Sequence, residues 1–316
     1  MTEIIDKNEQ AWQFLDVAFN DLDSSILLYD EEYYPNSVFL LEQSVEKAFK
    51  SYDFKFNPNT ADPRKIGHKP LQVIKNSNKI YRQKNEDIRQ KPEEYAVVLS
   101  LTKKIGFDYS KNVEETLDAQ AKMDNLIDNC NEFLELDEED ILFSINNLKE
   151  THEGWVETIN QIQENKINIE EWEHNIDEMY SNIRAGFQEL GSKDMISTED
   201  LDAGMKKVDA VFLQVKMVPK EVYNNYLLFI FLILGGVSLL SLVGLLLSAH
   251  EQNSRYPTKD ATFTPLDFYT LELPLVSHLP EIQDYVCISL EWLWDAYELL
   301  DSLSKNRDEN SKLVNA

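Results

Sequence analysis

Residues Leu227–Ala249 read LLFIFLILGGVSLLSLVGLLLSA, a run of 23 residues without a charged side chain. At a rise of about 1.5 Å per residue, a helix of this length covers the ~30 Å hydrocarbon core of a bilayer. Tyr223 and Tyr226 precede the run, where interfacial aromatic residues are often found. The pattern predicts a transmembrane helix that places this segment in a lipid bilayer. The alternative is a helix buried on all sides within a soluble bundle.

The charges on either side of the apolar run predict its orientation. Four lysines lie shortly before it, whereas only Arg255 and Lys259 follow within a comparable distance. The positive-inside bias therefore predicts a single-pass membrane protein whose N-terminal bulk is cytoplasmic. If the run is a core helix instead, the chain is a soluble cytoplasmic protein. The first residues, MTEIIDKNEQ, lack the cationic and apolar regions of a cleavable signal peptide.

Composition narrows the class of fold and function. The chain has 316 residues, 43% of them hydrophobic, and no sustained apolar/polar alternation, so an all-α protein is predicted. The formal charge of −27 excludes the whole molecule as a general nucleic-acid binder. Cys130 and Cys287 share no CxxC spacing, so neither a disulfide framework nor a zinc site is predicted. Phosphate-binding and metal-binding motifs are missing, so neither cofactor nor metal is predicted, and the single Glu171-Trp-Glu-His174 run is taken as a surface turn.

The charge is distributed unevenly along the chain. Asn112–Asp200 holds 24 acidic residues against 5 basic ones, whereas Arg64–Lys91 holds nine basic residues and two acids. Such a basic segment can follow an RNA backbone or phosphates. The residues predicted to do so are Lys65, Lys69, Lys75, Lys79 and Arg82. We favour the alternative, that the segment pairs with the acidic middle section or with a partner protein.

Helical periodicity divides the chain into four regions. The first, 8–109, begins with a helix over Asn8–Tyr29 and a second ending near Tyr52, and a further apolar helix is predicted over Tyr95–Ile105. The second region, 112–222, is predicted to be an acidic helical hairpin or small bundle, with a turn at Gly191 and Ser192. The apolar helix 227–249 and a C-terminal loop and helix, 250–316, follow. The apolar stripe predicted for the first helix is Trp12, Leu15, Ala18, Leu22 and Ile26; for the second, Val38, Leu41, Val45, Ala48 and Phe49; for the last, Tyr285, Ile288, Trp292, Leu293, Ala296 and Leu299.

The first region resembles a HEPN domain, the small helical module of prokaryotic toxins, phage-defence proteins and nucleotidyltransferase partners. The resemblance is carried by Asp21–Leu22, by Tyr33–Val38 (YYPNSV) and above all by Leu41–Lys50 (LEQSVEKAFK). Gly67–Leu71 (GHKPL) falls where the family often begins its next helix. Ser254–Pro257 (SRYP), with the last helix, is similar to the turn before the family's closing helix.

The resemblance implies a HEPN-like helical bundle that forms a homodimer. In the family's ribonucleases, an arginine and a histidine four to six residues apart cleave RNA without metal. The histidine is the general acid/base and the arginine positions the phosphate. The matching pair here is Arg64 and His68, with three residues between them; His250 and Arg255 occur in reversed order. The alternative for His68 is a structural histidine at a helix start. Glu46 and Lys47 are predicted to form structural helix-face contacts whatever the activity.

Three alternative functions follow from these observations. The chain is predicted to be a membrane-associated HEPN-like binding or dimerisation module in a toxin or defence setting, with a protein partner on its acidic face. The first alternative is a metal-independent endoribonuclease that cleaves RNA with Arg64 and His68. A soluble all-α interaction scaffold, binding a protein or nucleotide, is the remaining alternative.

Overall fold

A computed structural model describes residues 7–58, 61, 71–91, 109–164, 169–192, 197–217, 220–250, 253–257 and 263–314. Every regular element assigned within them is helical, which confirms the all-α prediction. The α-helices are α1 Lys7–Asp30, α2 Tyr34–Phe56, α3 Leu71–Gln90, α4 Tyr109–Asp128, α5 Glu138–Gln163, α6 Ile169–Ser192, α7 Thr198–Met217, α8 Lys220–Ser248, α9 Pro265–Phe268, α10 Pro274–Ser277 and α11 Leu279–Val314, and a 3-10 helix covers Cys130–Glu135.

These helices belong to two compact units. The first unit comprises Met1–Ser77, Asp124–Asn160 and Leu228–Ala316, and the second comprises Asn78–Met123 and Gln161–Leu227. The grouping differs from the four consecutive regions expected from the sequence, because distant segments of the chain fold into one unit. The predicted helix over Tyr95–Ile105 and the residues Arg64–Pro70 lie outside the described residues.

Three buried serines connect α1 and α2 at intervals of seven residues. The hydroxyl of Ser37 donates to the Ser25 carbonyl at 2.7 Å, and that of Ser44 to the Ala18 carbonyl at 2.8 Å. Ser51 donates to the Ala11 carbonyl at 2.7 Å. All three serines are fully buried. A seven-residue interval is two helical turns, so the serine ladder fixes the register of an antiparallel helix pair.

This ladder corrects the apolar stripe expected for α1. The buried residues are Ala11, Leu15, Ala18, Leu22 and Ser25, whereas Ile26 is 38% exposed. Small residues lie at 11, 18 and 25 because α2 approaches the backbone of α1 closely there. In α2 the five predicted apolar positions are all fully buried, as expected.

We expect Ser44→Val to lower the free energy of unfolding by about 2 kcal/mol, because it removes a buried hydrogen bond and adds a methyl group to a tight interface. The measurement is urea unfolding followed by circular dichroism. Ser24→Val is the matched control, since the Ser24 hydroxyl bonds within α1 to the Asn20 carbonyl at an exposed position. Equal losses in the two variants would show that the ladder does not stabilise the hairpin.

The last helix packs against this hairpin. Gln283 of α11 donates to the Ser25 hydroxyl at 2.9 Å, and the Tyr297 hydroxyl lies 3.2 Å from that of Ser51. Lys55 of α2, almost fully buried, forms an ion pair with Asp301 of α11 at 2.7 Å. Burial alone would raise the pKa of Asp301, but hydrogen bonds from Lys55 and Trp12 outweigh it and lower that pKa. The N-terminal and C-terminal parts of the chain therefore form one core.

The apolar helix α8 contributes to this first unit. Asn224–Ser248 is long and apolar enough to cross a membrane, and 67% of its most apolar window is buried within the protein. A Cβ at Gly236 would lie 3.0 Å from the Ser289 carbonyl oxygen of α11, and one at Gly244 would lie 3.1 Å from Leu71 of α3. The glycines thus permit close contact between α8 and its neighbouring helices.

The second unit contains an acidic antiparallel helical hairpin formed by α6 and α7. Phe187 of α6 packs against Gly204 of α7, and the Tyr180 hydroxyl donates to Asp209 at 2.7 Å. Glu171–His174 lies inside helix α6 rather than in the predicted surface turn, because the helix begins at Ile169. Gly191, expected at a turn, lies in the last turn of α6.

Candidate functional site

The charged residues of α2 that carry the HEPN resemblance bond to one another and to α1. Lys47 Nζ lies 2.6 Å from a carboxylate oxygen of Asp21 and 3.1 Å from the Gln43 side-chain oxygen. The Gln43 amide donates to Glu42 and Glu46 at 2.8 and 3.0 Å, and Lys50 forms an ion pair with Glu46. Burial of charges requires such partners. The predicted helix-face contacts of Glu46 and Lys47 are therefore present, and they make this cluster a structural one.

The predicted catalytic pair lies outside the described residues. Arg64 and His68 fall between residues 62 and 70, together with Lys65 and Lys69 of the predicted phosphate-binding set. The other three members, Lys75, Lys79 and Arg82, lie on α3. Their spacing of four and three residues places them on one side of that helix.

Lys75 of this set forms an ion pair with an acid. Lys75 Nζ lies 2.7 Å from a carboxylate oxygen of Asp128, at the end of α4. Lys79 is exposed and Arg82 is half-buried. The ion pair at Lys75 is the kind of contact expected if the basic segment neutralises acids of the same molecule. An exposed pair of this type contributes little to stability, on the order of 0–1 kcal/mol, but it reduces the positive charge available to a phosphate.

The downstream part of the HEPN resemblance packs against α2. The guanidinium of Arg255 lies over the ring of Phe39 at 4.8 Å and over that of its neighbour Tyr256 at 5.2 Å. Together with the contact of α11 with α1 and α2, this places the Ser254–Pro257 turn and the closing helix beside the first hairpin. The arrangement is the one expected if residues 250–316 complete the bundle.

His250 is a buried structural histidine. It is 1% exposed, and its Nδ1 lies 2.9 Å from the Tyr269 hydroxyl. Burial lowers the pKa of His250 to about 4, and a backbone hydrogen bond with Phe133 only partly offsets this effect. Burial also raises the pKa of Tyr269, so a protonated phenol lies beside the neutral imidazole ring. A ring enclosed in this way has no access to an RNA substrate, which removes the reversed His250–Arg255 pair as a candidate site.

Sequence reasoning did not identify Tyr269 as the partner of His250. The two residues are nineteen positions apart and belong to no shared periodic element. The seven-residue spacing of the ladder serines, in contrast, is visible in the sequence.

No model of a known protein family, no curated protein and no solved structure matches this chain. The HEPN resemblance stays a prediction carried by the residues of α2 and of the turn at Arg255.

Proposed function

We propose that this protein is a non-enzymatic interaction module built on a HEPN-like helical bundle, in a prokaryotic toxin or defence setting. The observation that carries the proposal is the internal pairing of the charged α2 residues. On α2, ion pairs and hydrogen bonds link the side chains of Gln43, Glu46, Lys47 and Lys50. Lys47 also forms an ion pair with Asp21 of α1. A cluster organised in this way stabilises a bundle and holds no nucleophile or acid/base pair free for chemistry.

We further infer that α8 is a core helix and that the protein is soluble and cytoplasmic. A single membrane crossing at 227–249 would place the segments before and after it on opposite sides of the bilayer. The ion pair between Lys55 and Asp301 at 2.7 Å joins those two segments directly. The burial of 67% of the apolar window supports the same inference. A single-pass protein with a cytoplasmic N-terminal bulk is the competing arrangement.

Incubation with RNA tests the non-enzymatic assignment. We expect purified wild-type protein and the variants Arg64→Ala and His68→Ala to leave total RNA equally intact in the presence of a chelator, as judged by denaturing gels. A chelator is used because the competing reaction needs no metal. Cleavage by the wild type that is lost in His68→Ala would establish the endoribonuclease instead.

A homodimer is part of the proposal, because the HEPN resemblance implies self-association through the HEPN-like part of the chain. Sedimentation equilibrium of the full chain measures it. A monomer at all concentrations would remove dimerisation from the proposal and leave binding of other partners.

A further inference from the structure

Five ring-bearing side chains from three helices form a continuous, half-buried surface on the first unit, which we call the aromatic face. It consists of His152 and Trp155 from α5, Phe231 from α8, and Tyr285 and Trp292 from α11. The ring of His152 stacks on Trp292 with centroids 5.6 Å apart and meets Tyr285 at 6.0 Å. The rings of Trp155 and Phe231 are 6.0 Å apart.

Gly235 lies where the two groups of rings meet, the Trp155–Phe231 pair and the cluster of His152, Tyr285 and Trp292. A Cβ at this position would lie 2.6 Å from the ring of Trp292 and 3.2 Å from that of Trp155. Both indoles therefore lie directly against the backbone of α8, and they are close to each other there. The adjoining Leu234 is 47% exposed, so the apolar surface continues to the outside of the helix.

Carboxylates border this surface on the two helices that flank it. Burial raises the pKa of Tyr285, and the charges of Glu281, Glu153 and Asp284 raise it further. All three acids are exposed. Glu153 on α5 and Glu281 and Asp284 on α11 therefore bring negative charge to the side of the phenol from both helices.

Basic residues are scarce on these helices. Lys149 is the one lysine or arginine in α5, and α11 has none between Leu279 and Ser304. A surface that combines half-buried rings with an acidic border favours a cation that can stack on a ring. The guanidinium group fits best, because it is planar, stacks on aromatic rings and bonds to carboxylates with two N–H groups at once.

We propose that the aromatic face binds an arginine-rich segment of a partner protein. The inference rests on the proposed interaction function and names the partner's chemistry. Arginine side chains stack on Trp155, Trp292 and Tyr285, and their N–H groups donate to Glu153, Glu281 and Asp284. An anionic lipid or nucleic acid is repelled by the same carboxylates.

Fluorescence anisotropy with the full-length protein tests the proposal. The probe is a fluorescein-labelled nine-residue Gly/Ser peptide with three arginines, compared with the same peptide carrying three lysines, at near-physiological salt. We expect the arginine peptide to bind about fivefold more tightly, since stacking of one guanidinium on an indole is worth about 1 kcal/mol. Equal affinities would overturn the proposal, because they indicate general attraction to an acidic protein.

Two kinds of variant separate the rings from the charge. Trp155→Leu leaves the net charge unchanged and is expected to weaken binding of the arginine peptide about fivefold. Glu153→Gln, at an exposed position that tolerates substitution, is expected to weaken it by a similar factor. Glu298→Gln removes the same charge elsewhere on α11 and should leave the affinity within about twofold. Equal weakening by Glu153→Gln and Glu298→Gln would also overturn the proposal.

A second copy of the chain or a lipid surface at the aromatic face would give different results in these experiments. If the face is a contact between two copies of the chain, Trp155→Leu abolishes self-association in sedimentation and the peptide does not bind. If it contacts lipid, the protein sediments with phosphatidylglycerol vesicles and Trp155→Leu does not. Either result overturns the arginine proposal, and the RNA assay reports separately on the non-enzymatic function.

Discussion

Leu240→Ala is expected to lower the free energy of unfolding by about 3 kcal/mol, whereas Leu234→Ala lowers it by less than about 1 kcal/mol. The two leucines lie in the same apolar helix, six residues apart, and undergo the same chemical change. Leu240 is fully buried in the first unit and Leu234 is 47% exposed. Truncation at 240 removes buried methyl groups and leaves a cavity, but truncation at 234 removes groups that water already reaches.

Urea unfolding of the purified variants in detergent-free buffer measures both values. Alkaline carbonate extraction of cells provides a second measurement, and the wild type should appear in the soluble fraction. Leu234→Lys distinguishes a soluble core helix from a transmembrane helix. A soluble bundle tolerates an exposed lysine, whereas a lysine near the middle of a membrane span costs about 2.5–3.5 kcal/mol of insertion free energy. Membrane retention of the wild type, lost in Leu234→Lys, would identify a transmembrane helix.

The sequence of the apolar helix is not enough to decide whether it is a core helix or a transmembrane helix. A core helix and a transmembrane helix both exclude charge, so length and composition predict only that Leu227–Ala249 avoids water. Contacts with residues that are distant in the chain distinguish a core helix from a transmembrane helix. Gly236 against Ser289 and Gly244 against Leu71 are such contacts, and neither partner is recognisable from the sequence of the helix itself.

The bounds of α1 and the buried face of α2 could be predicted closely, but the buried face of α1 could be predicted only in part. The expected bounds Asn8–Tyr29 compare with Lys7–Asp30 in the structure. A hydrophobicity pattern places large apolar residues inward, so Ile26 was expected in the stripe in place of Ser25. Close approach of two helices reverses this preference, since small polar residues that bond to the opposite backbone pack more tightly there.

The candidate site could be predicted only in part. The sequence of α2 identifies Glu46 and Lys47 as helix-face contacts, and the ion pairs with Lys50 and Asp21 confirm this prediction. The choice between RNA binding and internal pairing for the basic segment depended on distant acids. Lys75 meets Asp128, which is 53 residues away and therefore beyond any local pattern.

Acidification from pH 7 to pH 5 is expected to cost the wild type about 2 kcal/mol of folding free energy through His250 alone. The pKa of this ring is about 4 in the folded protein and about 6.5 when unfolded. Between these values the unfolded chain binds a proton that the folded protein excludes, so stability falls as the pH falls. The contribution is complete above about pH 6.5, and about 3 kcal/mol is lost by pH 4.

His250→Asn isolates this contribution, because asparagine offers the Tyr269 hydroxyl an acceptor but does not titrate. The variant is expected to lose about 2 kcal/mol less than the wild type between pH 7 and pH 5, whatever its stability at pH 7. His278→Asn serves as a control of opposite sign. Hydrogen bonding to Glu138 raises the pKa of His278, so its stabilising effect is complete below about pH 6.5 and is lost as the pH rises through that raised pKa. Parallel pH profiles for the wild type and His250→Asn would mean that the ring at 250 is hydrated and protonates freely in the folded protein.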